Sequence, residues 1–407
     1  MKILILNAGS SSQKSCLYEL SDDRLPEHPP QPLWSADIDW TASSDFGILT
    51  VKANGVKQEI ELRSDQHLEG IAKLLNTLVE GDTKVIESLS EINGVGHRIV
   101  HGGKKYSTAT LITPEVEAEI SNLIPLAPSH NPAHLEGIAA IKKVLGEVSQ
   151  FAVFDTAFHT SIPDENSIYP LPYEWSQKGI RRYGFHGTSH QYCANRAAQI
   201  LGKPIASLKI ISCHLGNGCS LTAIKDGKSI DTTMGFTPLE GLMMGTRSGS
   251  FDPAILIYIM KEHLYELEQL NHLLNKESGL KGISGISGDL RPVLKAIDEG
   301  NERAKLAFKM YIHLIKKGIG EMLSTLEGAD LILFTAGVGE NAPIVREKVC
   351  EGFGFLGWKI DQDKNNSHPV DTDIATPDST IRIMVIHTEE DWAIAQECWH
   401  QISSTLT

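Results

Sequence analysis

The stretch ILILNAGSSSQK spans residues 3–14 and joins an apolar run directly to a run of small polar residues. Four consecutive apolar residues are typical of a short strand that is buried on both faces. Gly9 and the serines after it let backbone N–H groups approach an anion closely, and Lys14 adds a positive charge. This order of residues predicts a buried strand that leads into a phosphate-binding turn.

Two later segments repeat this arrangement. The turn HLGNG at residues 214–218 follows the apolar run KIISC, and AGVGEN at residues 336–341 follows LILFT. Each segment alone is typical of an ordinary tight turn. Three such turns after three buried strands favour a site for phosphate groups. The sequence has no GxxxxGK[ST] segment, which excludes a P-loop.

A dinucleotide-binding fold is the alternative explanation of the third turn. GVGENA fits the G-x-G-x-x-G/A pattern, and Asp361 follows about 20 residues later, where a ribose-binding acid stands in such folds. That pattern normally follows the first strand of its domain. Here it stands late in the chain and leaves the two earlier turns unexplained, so it is the weaker alternative.

The alternation of apolar strand-like runs with helical patterns predicts an α/β fold with a parallel or mixed sheet. The further predicted strands are residues 94–100, 151–154 and 381–386, and the clearest predicted helices are residues 188–201, 301–326 and 389–402. A strand followed by a small-residue turn occurs at Leu6/Asn7 and again at Cys213/His214. This recurrence indicates two halves of similar design, with a boundary within residues 155–163.

Composition and charge limit the partners of the chain. The 407 residues, 41% of them hydrophobic, suffice for two domains, and the net charge of −14 disfavours nucleic acid and anionic membranes. The six cysteines form no CxxC pair, and no apolar run approaches the roughly 20 residues that span a bilayer. We therefore expect a cytoplasmic protein without nucleic-acid or membrane partners.

Three charged residues stand where a ligand site is expected. Arg98 lies near the end of a predicted buried strand, where a charge is costly unless it is paired or faces a ligand, so a structural ion pair stays an equal alternative. Arg247 stands among Gly and Ser in GTRSGS, a setting that favours anion binding. Asp155 ends a predicted strand, from which it can face a ligand or cap a helix.

Histidines recur at a spacing of four residues in the pairs His97/His101, His130/His134 and His186/His190. No HExxH motif is present, and no Cys or carboxylate completes a zinc set nearby, so packing or capping roles are favoured over structural zinc. Mg²⁺ differs, because it takes oxygen ligands and phosphate, and one carboxylate or amide side chain then suffices.

These segments together closely resemble the acetate kinase family, over nearly the whole length of the chain. The motifs that carry the resemblance are NAGSSSQK, GHRIVHGG, HNPAH, FDTAFH, RRYGFHGTSH, HLGNG, TMGFTPLEGLMMGTRSG, GISGDLR and AGVGEN. The resemblance implies two duplicated actin-like (ribonuclease H-like) α/β domains with a nucleotide cleft between them. Residues 1–155 plus 388–407 would form the N-terminal domain, and residues 156–387 the nucleotide-binding C-terminal domain.

The resemblance also implies the reaction. Members of the family are cytoplasmic homodimers that transfer the γ-phosphoryl group of ATP reversibly to acetate, giving acetyl phosphate and ADP, with Mg²⁺, for which Mn²⁺ substitutes. Acetate is already ionised, so its attack on phosphorus needs no general base. A kinase for propionate or another short-chain carboxylate is the nearest alternative. A non-catalytic nucleotide-driven module is the alternative from a different functional class.

Roles for individual residues follow from the resemblance, position by position. The predicted catalytic residues are Arg98, Asp155, His186 and Arg247. The pocket for the acetate methyl group is predicted from Val100, Phe185 and Pro238, with Arg98 binding the carboxylate. The predicted nucleotide-binding residues are Lys14, His214, Leu215, Gly216, Asn217, Gly218, Asp289, Leu290, Arg291, Gly337, Val338, Gly339, Glu340 and Asn341. Asn7 and Glu389 are the predicted metal ligands, with Glu390 as the alternative to Glu389.

The chain departs from the family pattern at three places. Ser129 stands where Leu is usual, which would make one wall of the methyl pocket more polar. Ser250 replaces a commonly acidic residue, and TEED at residues 388–391 replaces the commoner TNEE. The last departure is the reason why Glu389 and Glu390 are both kept as metal ligands.

Overall fold

The computed structural model describes residues 1–9, 12–40, 46–63, 67–128 and 130–406. Ser10 and Ser11 of the first predicted turn lie outside the described residues, as does Ser129 of the predicted methyl pocket.

The secondary structure alternates between strands and helices along the chain. The strands are β1 (Lys2–Ala8), β2 (Ser12–Glu19), β3 (Trp34–Asp39), β4 (Phe46–Ala53), β5 (Val56–Arg63), β6 (Gly94–Ile99), β7 (Thr110–Leu111), β8 (Gln150–Phe154), β9 (Ile210–Leu215), β10 (Cys219–Lys225), β11 (Lys228–Thr232), β12 (Leu331–Thr335), β13 (Thr372–Asp373) and β14 (Arg382–Val385). The helices are α1 (His67–Val79), α2 (Pro114–Asn122), α3 (Asn131–Leu145), α4 (Asp164–Ser167), α5 (Glu174–Gln177), α6 (Gly187–Ile200), α7 (Ala254–His263), α8 (Leu267–His272), α9 (Gly279–Ser284), α10 (Leu290–Asp298), α11 (Glu302–Leu326), α12 (Ala336–Asn341), α13 (Pro343–Glu351), α14 (Gln362–Asn366) and α15 (Glu390–Leu406).

The chain divides into two compact units. Unit 1 consists of Met1–Ala157 and Glu389–Thr407, and unit 2 of Phe158–Thr388. Each unit contains one sheet. The strand order is β5-β4-β3-β2-β1-β6-β8-β7 in unit 1 and β11-β10-β9-β12-β14-β13 in unit 2.

The two sheets share the same central order. In unit 1 it is β3-β2-β1-β6-β8, and in unit 2 it is β11-β10-β9-β12-β14. In each series the first three strands pair antiparallel with their neighbours. The last two strands run parallel to the third strand of the series, which is β1 in unit 1 and β9 in unit 2. The predicted α/β fold with two halves of similar design is confirmed.

Helices cover both faces of the unit 1 sheet. Apolar side chains of α1 and α3 pack with those of β1–β4 in one buried cluster. On the other face α15 lies against β6, where glycines permit a close approach. A Cβ atom at Gly96 would lie 2.7 Å from Cys398 Sγ, and one at Gly94 would lie 2.6 Å from Ile402 Cδ1. The sequence GVG in β6 is therefore what lets the last helix pack on this sheet.

The longest helix of unit 2, α11, packs on β10 through a small residue. Asn301 caps this helix by accepting a hydrogen bond from Ala304 N, and a Cβ atom at Gly318 would lie 2.8 Å from Leu221 Cδ1. Among the described residues, no helix has both the length and the apolar composition that crossing a membrane requires.

The structure corrects the predicted conformation of the third turn, AGVGEN, and defines the strands that border the other two. Lys14 lies in β2 opposite Asn7 of β1, so these two residues of NAGSSSQK are on paired antiparallel strands. β9 continues through Leu215, and HLGNG turns directly into β10. AGVGEN forms the short helix α12 instead of a turn. The strand β2, SQKSCLYE, escaped prediction because its first four residues are polar or charged and its pairing between β1 and β3 decides its conformation.

Candidate active site

The predicted catalytic residues of unit 1 lie at the carboxyl ends of parallel strands. Arg98 is in β6 and Asp155 directly follows β8, so the two side chains meet at one edge of the sheet. Arg98 Nε donates to Asp155 Oδ1 at 2.9 Å, and Nη2 donates to Oδ2 at 2.6 Å. The third contact runs from Arg98 Nη1 to Asn7 Oδ1 at 3.3 Å.

This ion pair is largely withdrawn from solvent. The Asp155 side chain is only 3% exposed and that of Arg98 20%. Burial alone would lower the pKa of Arg98, but the Asp155 carboxylate outweighs burial and raises that pKa above its ordinary value. Arg98 therefore stays charged, and Asp155 serves as its partner instead of capping a helix.

The acidic start of α15 adjoins the same residues. Asn7 Nδ2 donates to Asp391 Oδ1 at 2.7 Å. Glu390 lies within electrostatic reach of Arg98 and Asp155, and burial raises the pKa of its carboxyl group despite the attraction of Arg98. Burial also raises the pKa of Asp391. After Asp155, Glu390 and Asp391 are the carboxylates that act on Arg98, a grouping that the sequence left open.

Glu389 has different surroundings. It lines an open cavity of about 480 Å³ together with Lys14, Tyr18 and Asp391, under the proline-rich segment 29–32. Its charge contributes to raising the pKa of Tyr18, although burial is the larger cause. Asp391 therefore shares this cavity with Glu389 and also contacts Asn7, whereas Glu390 does not line the cavity.

The loop after β6 is held by the first turn of α3. Val100 N donates to His134 Nε2 at 3.2 Å, and Asn131 Nδ2 donates to His101 O at 3.4 Å. Gly102 N donates to Thr156 Oγ1 at 3.1 Å, next to Asp155. Because Nε2 of His134 accepts, the proton of the neutral ring is on Nδ1. Burial lowers the pKa of His134 well below its ordinary value, which keeps the ring an acceptor.

Unit 2 brings two of the predicted phosphate segments together. β9 and β12 are parallel neighbours, and His214 is in register with Thr335. A Cβ atom at Gly216 would lie 3.6 Å from Ala336 Cβ, so HLGNG and AGVGEN are adjacent at the carboxyl ends of these strands.

His186 and Arg247 both lie close to the last glycine of HLGNG. A Cβ atom at Gly218 would lie 3.3 Å from His186 Nε2 and 3.6 Å from Arg247 Nη1. Arg247 Nη1 also donates to Pro238 O at 3.1 Å, and burial lowers the pKa of Arg247. His186 has a left-handed backbone, with φ of 57°, immediately before α6. Two nitrogen-bearing side chains therefore border the same small turn.

The predicted adenosine-binding segment lies beside this turn. Gly245 N donates to Asn217 O at 3.1 Å, and a Cβ atom at Gly288 would lie 3.0 Å from Gly245 O. Asp289 caps α10 and forms an exposed ion pair with Arg291. The loops that carry GTRSGS and SGDLR therefore adjoin HLGNG within unit 2.

The side chain of Glu340 links α12 to the residues that precede α15. Its Oε1 accepts from Ala336 N at 2.9 Å and from Thr388 N at 3.2 Å, and Oε2 lies 2.6 Å from His387 Nδ1. Burial would raise the pKa of Glu340, but these hydrogen bonds lower it below its ordinary value. In this structure the side chain of Glu340 holds the segment in place, which leaves main-chain groups for any contact with a nucleotide.

The three residues of the predicted methyl pocket are divided between the units. Val100 is in unit 1, whereas Phe185 and Pro238 are in unit 2. Val100 and Phe185 are buried, and the carbonyl of Phe185 lies 3.0 Å from Nε2 of the buried His159.

The described residues also bear on the metal and dinucleotide alternatives. No group of three or more His, Cys, Asp or Glu side chains among them is arranged to hold a metal ion. Asp361 caps α14 by accepting from Lys364 N, and the antiparallel half of each sheet differs from a dinucleotide-binding fold. Sequence reasoning missed Ser220, whose hydroxyl lies 2.8 Å from His186 Nδ1. Its place two residues after HLGNG is the one signal that pointed to it.

Comparison with known proteins agrees with this geometry. A model of the acetokinase family matches residues 2–396. The acetate kinase of Rippkaea orientalis is 67% identical over 403 residues, which cover 99% of this chain and all of that protein. The acetate kinase of Synechocystis sp. is 61% identical over 402 residues, covering 98% of this chain and 97% of that protein.

Solved structures show the same fold. The acetate kinase of Porphyromonas gingivalis has a TM-score of 0.90 at 41% identity, with both chains fully covered. A propionate kinase from Francisella tularensis has a TM-score of 0.88 at 40% identity, covering 97% of this chain and 98% of that chain. These findings confirm the predicted actin-like fold and the predicted enzyme class. The chain belongs to the acetokinase family, whose members are phosphotransferases that use a carboxyl group as acceptor.

Proposed function

We propose that the chain transfers the γ-phosphoryl group of ATP to acetate by direct in-line displacement, reversibly, giving acetyl phosphate and ADP. The observation that carries the proposal is that His186 and Arg247 both lie close to Gly218 of HLGNG. Small residues, main-chain N–H groups and nitrogen-bearing side chains at strand ends suit a phosphoryl group.

Charge neutralisation is the main demand of this reaction. Acetate and the γ-phosphate are both anions, and two unit charges at about 4 Å repel by about 4 kcal/mol at an intermediate effective dielectric. We assign Arg98 and Arg247 to offset this repulsion, with His186 donating a hydrogen bond to the transferred group. Asp155 then orients Arg98 through its paired hydrogen bonds. No group is needed to remove a proton from acetate.

The nucleotide is assigned mainly to unit 2. HLGNG and the main chain of Gly337, Val338 and Gly339 would hold the phosphates, and Asp289, Leu290 and Arg291 would lie near the adenosine. Lys14, which is exposed on β2 of unit 1, would supply a further positive charge. We propose that units 1 and 2 are the N-terminal and the nucleotide-binding actin-like domains.

The acids near Asn7 fit Mg²⁺ that is shared with a nucleotide. The donors there are carboxylate and amide oxygens, which Mg²⁺ prefers, and one or two of them suffice when phosphate supplies further ligands. We propose Asn7 and Glu390 as these donors, because Glu390 shares the surroundings of Asn7 and Arg98 whereas Glu389 lines the cavity beside Tyr18. When bound, Mg²⁺ would neutralise charge on the phosphate oxygens. Mn²⁺ would take the same oxygen ligands.

Acetate is proposed as the preferred acceptor, with propionate as the alternative. The acetate kinase and the propionate kinase of known structure are almost equally similar to this chain, so overall identity does not separate the two. One additional methylene group in an apolar pocket is worth only about 1–3 kcal/mol. Comparing kcat/KM for acetate, propionate and butyrate decides the preference.

A homodimer in the cytoplasm is also proposed. The helix α7 has no buried residue, and Ile257 and Tyr258 are 58% and 60% exposed. An apolar exposed helix of this kind supports contact with a second copy of the chain. The six cysteines are all free, which supports a reducing compartment.

The experiment that tests the proposed function mixes the protein with ATP, Mg²⁺ and acetate in the presence of hydroxylamine. Acetyl phosphate reacts with hydroxylamine to give a hydroxamate, whose colour with iron(III) measures product. We expect hydroxamate to form only when all three components are present. ATP binding without any carboxylate-dependent turnover would contradict the proposal and favour a non-catalytic nucleotide-driven module.

A further inference from the structure

His186 stands at one end of a chain of buried hydrogen-bonding groups in unit 2. Its Nδ1 lies 2.8 Å from Ser220 Oγ, which lies 2.7 Å from His190 Nε2. His190 Nδ1 in turn lies 2.7 Å from Ser212 Oγ. Ser212, Ser220 and His190 are all completely buried. His186 immediately precedes the helix α6, which carries His190, and the two serines come from the neighbouring strands β9 and β10, so these elements fix the spacing of the four residues.

Burial lowers the pKa of His190 well below its ordinary value, so its ring is neutral at pH 7. With a neutral His190, two proton arrangements give each of these hydrogen bonds one donor and one acceptor. In one arrangement every donor points towards His186: Ser212 donates to His190, His190 to Ser220, and Ser220 to His186 Nδ1. In the other, every donor points away from it, and His186 Nδ1 carries a proton. A hydroxyl group permits both, because it donates one hydrogen bond and accepts others.

The two arrangements differ at the opposite edge of the His186 ring. With donors pointing towards it, a neutral His186 carries its proton on Nε2, the atom that faces Gly218 beside Arg247. With donors pointing away, Nε2 of the neutral ring has a lone pair, and it donates only if the ring is charged. A second positive charge beside Arg247 is unfavourable. His190 and the stacked ring of His214, at 4.1 Å between centroids, are the other titratable groups against His186.

We infer that Ser220, His190 and Ser212 form a relay that keeps the proton of neutral His186 on Nε2, so that the ring donates to the transferred phosphoryl group. Ser220 and His190 are positioning residues that act through His186. The choice between the two directions rests on the proposed function, because it is made from what His186 must donate to, but the direction itself can be measured in the protein without ligand.

The first experiment determines the tautomers directly. The ¹⁵N shifts of uniformly labelled, ligand-free protein at neutral pH distinguish protonated from unprotonated ring nitrogens, and single His190→Gln and His186→Gln variants assign the signals. We expect a proton on Nε2 and none on Nδ1 for both His190 and His186. A proton on Nδ1 of His190 would overturn the inference, whatever reaction the protein catalyses.

The second experiment is kinetic and uses a matched control. Ser229 is also completely buried and lies 2.9 Å from Nδ1 of another buried histidine, His159, outside the relay. We expect Ser220→Ala to lower kcat about 10-fold to 100-fold, with KM for acetate and ATP within about twofold. Ser220→Thr, which keeps the hydroxyl group, should recover part of kcat. Ser229→Ala should lower thermal stability by a similar amount with kcat within about twofold.

The outcomes separate the inference from the proposed function. If Ser220→Ala keeps normal kcat, or if Ser229→Ala loses as much kcat as Ser220→Ala, the relay has no role of its own in turnover. If the unchanged protein forms no hydroxamate from acetate, the proposed function fails, and the tautomer measurement still decides the direction of the relay.

Discussion

Arg98 and Asp155 come from neighbouring parallel strands and form a two-point ion pair, with Nε–Oδ1 and Nη2–Oδ2 distances of 2.9 and 2.6 Å. Paired contacts of this kind fix the plane of the guanidinium group as well as its position. They leave Nη1 directed to Asn7, at the end of the next strand. One structural ion pair thus aims a cation at the edge of the sheet where the substrate is proposed to bind.

Replacing Arg98 and replacing Arg247 should lower kcat alike, but only the loss of Arg98 should strongly destabilise the protein. Arg98→Ala and Arg247→Ala should each lower kcat by roughly 10³-fold, because each removes charge stabilisation in the transition state, while ATP binding stays nearly unchanged. Only Arg98→Ala leaves a buried carboxylate without its partner, which costs about 3–5 kcal/mol in the free energy of unfolding. Hydroxamate formation, calorimetric titration with ATP and urea unfolding measure the three effects.

A matched control for these variants is Arg196, a partly buried arginine of α6 that pairs with Asp371 at 2.7 Å. Arg196→Ala should reduce stability and leave kcat nearly normal. Near-normal kcat in both Arg98→Ala and Arg247→Ala would rule out the proposed mechanism.

Glu390 is expected to lower stability in exchange for function. Burial raises its pKa above the ordinary 4.5, so the ionised carboxylate is less favourable in the folded chain than in the unfolded chain. This cost is absent well below pH 4.5, grows as the pH rises from there to the raised pKa of the folded state, and stays constant at higher pH. Glu390→Gln should therefore raise Tm at pH 7.5 more than at pH 5, and it should lower kcat strongly.

The neighbouring acid provides the comparison. Glu389→Gln should retain most of kcat at saturating Mg²⁺, if Glu390 is the ligand. Loss of activity in Glu389→Gln together with normal activity in Glu390→Gln would assign the metal to Glu389 instead. Thermal unfolding at both pH values and a Mg²⁺ titration of the initial rate distinguish these results.

His134 is expected to influence the acceptor more than the nucleotide. Its Nε2 accepts from the backbone of Val100, so His134→Leu leaves a buried N–H group without a partner, at a cost of about 1–3 kcal/mol. The displaced Val100 should raise KM for acetate and leave KM for ATP nearly unchanged. His134→Gln offers an amide oxygen in place of Nε2 and should restore much of both stability and KM. Equal changes in the two KM values would argue against this role.

The exposed side of α7 should set the oligomeric state. Ile257→Lys places a charge in the proposed contact and should convert a particle of about twice the 44.6 kDa chain mass into a monomer, as light scattering measures. The control variant Leu306→Lys changes an exposed leucine of α11, 53% accessible and on a helix other than α7, and it should leave the mass of the particle unchanged. A monomeric unchanged protein at micromolar concentration would contradict the proposed homodimer.

The apolar strands could be predicted from the sequence because burial on both faces leaves a continuous hydrophobic run. All six predicted strands are present, including LILFT in β12 and the run that precedes HLGNG. The strand β5, VKQEIELR, gives no such signal, since nearly all of its side chains are exposed and its place is set by pairing with β4. Edge strands of this type are fixed by their neighbours, which the local sequence does not show.

The site was predicted in part for a similar reason. Arg98 and Asp155 could be singled out because charges at the ends of buried strands need a partner. Their bonding to each other depends on β6 and β8 being adjacent, which only the sheet order reveals. The choice between Glu389 and Glu390 depends on the direction of each side chain at the first turn of α15, where one residue turns the chain by about 100°.

The packing of α15 on the glycines of β6 has a consequence for biosynthesis. The sheet of unit 1 is made from residues 1–157, but its second face is covered by α15, which the ribosome adds only after the whole of unit 2. Unit 2 is continuous in the chain and has all its residues once Thr388 has emerged. We therefore expect unit 2 to complete its fold before unit 1, whose apolar sheet face stays uncovered and prone to aggregation until α15 packs on it.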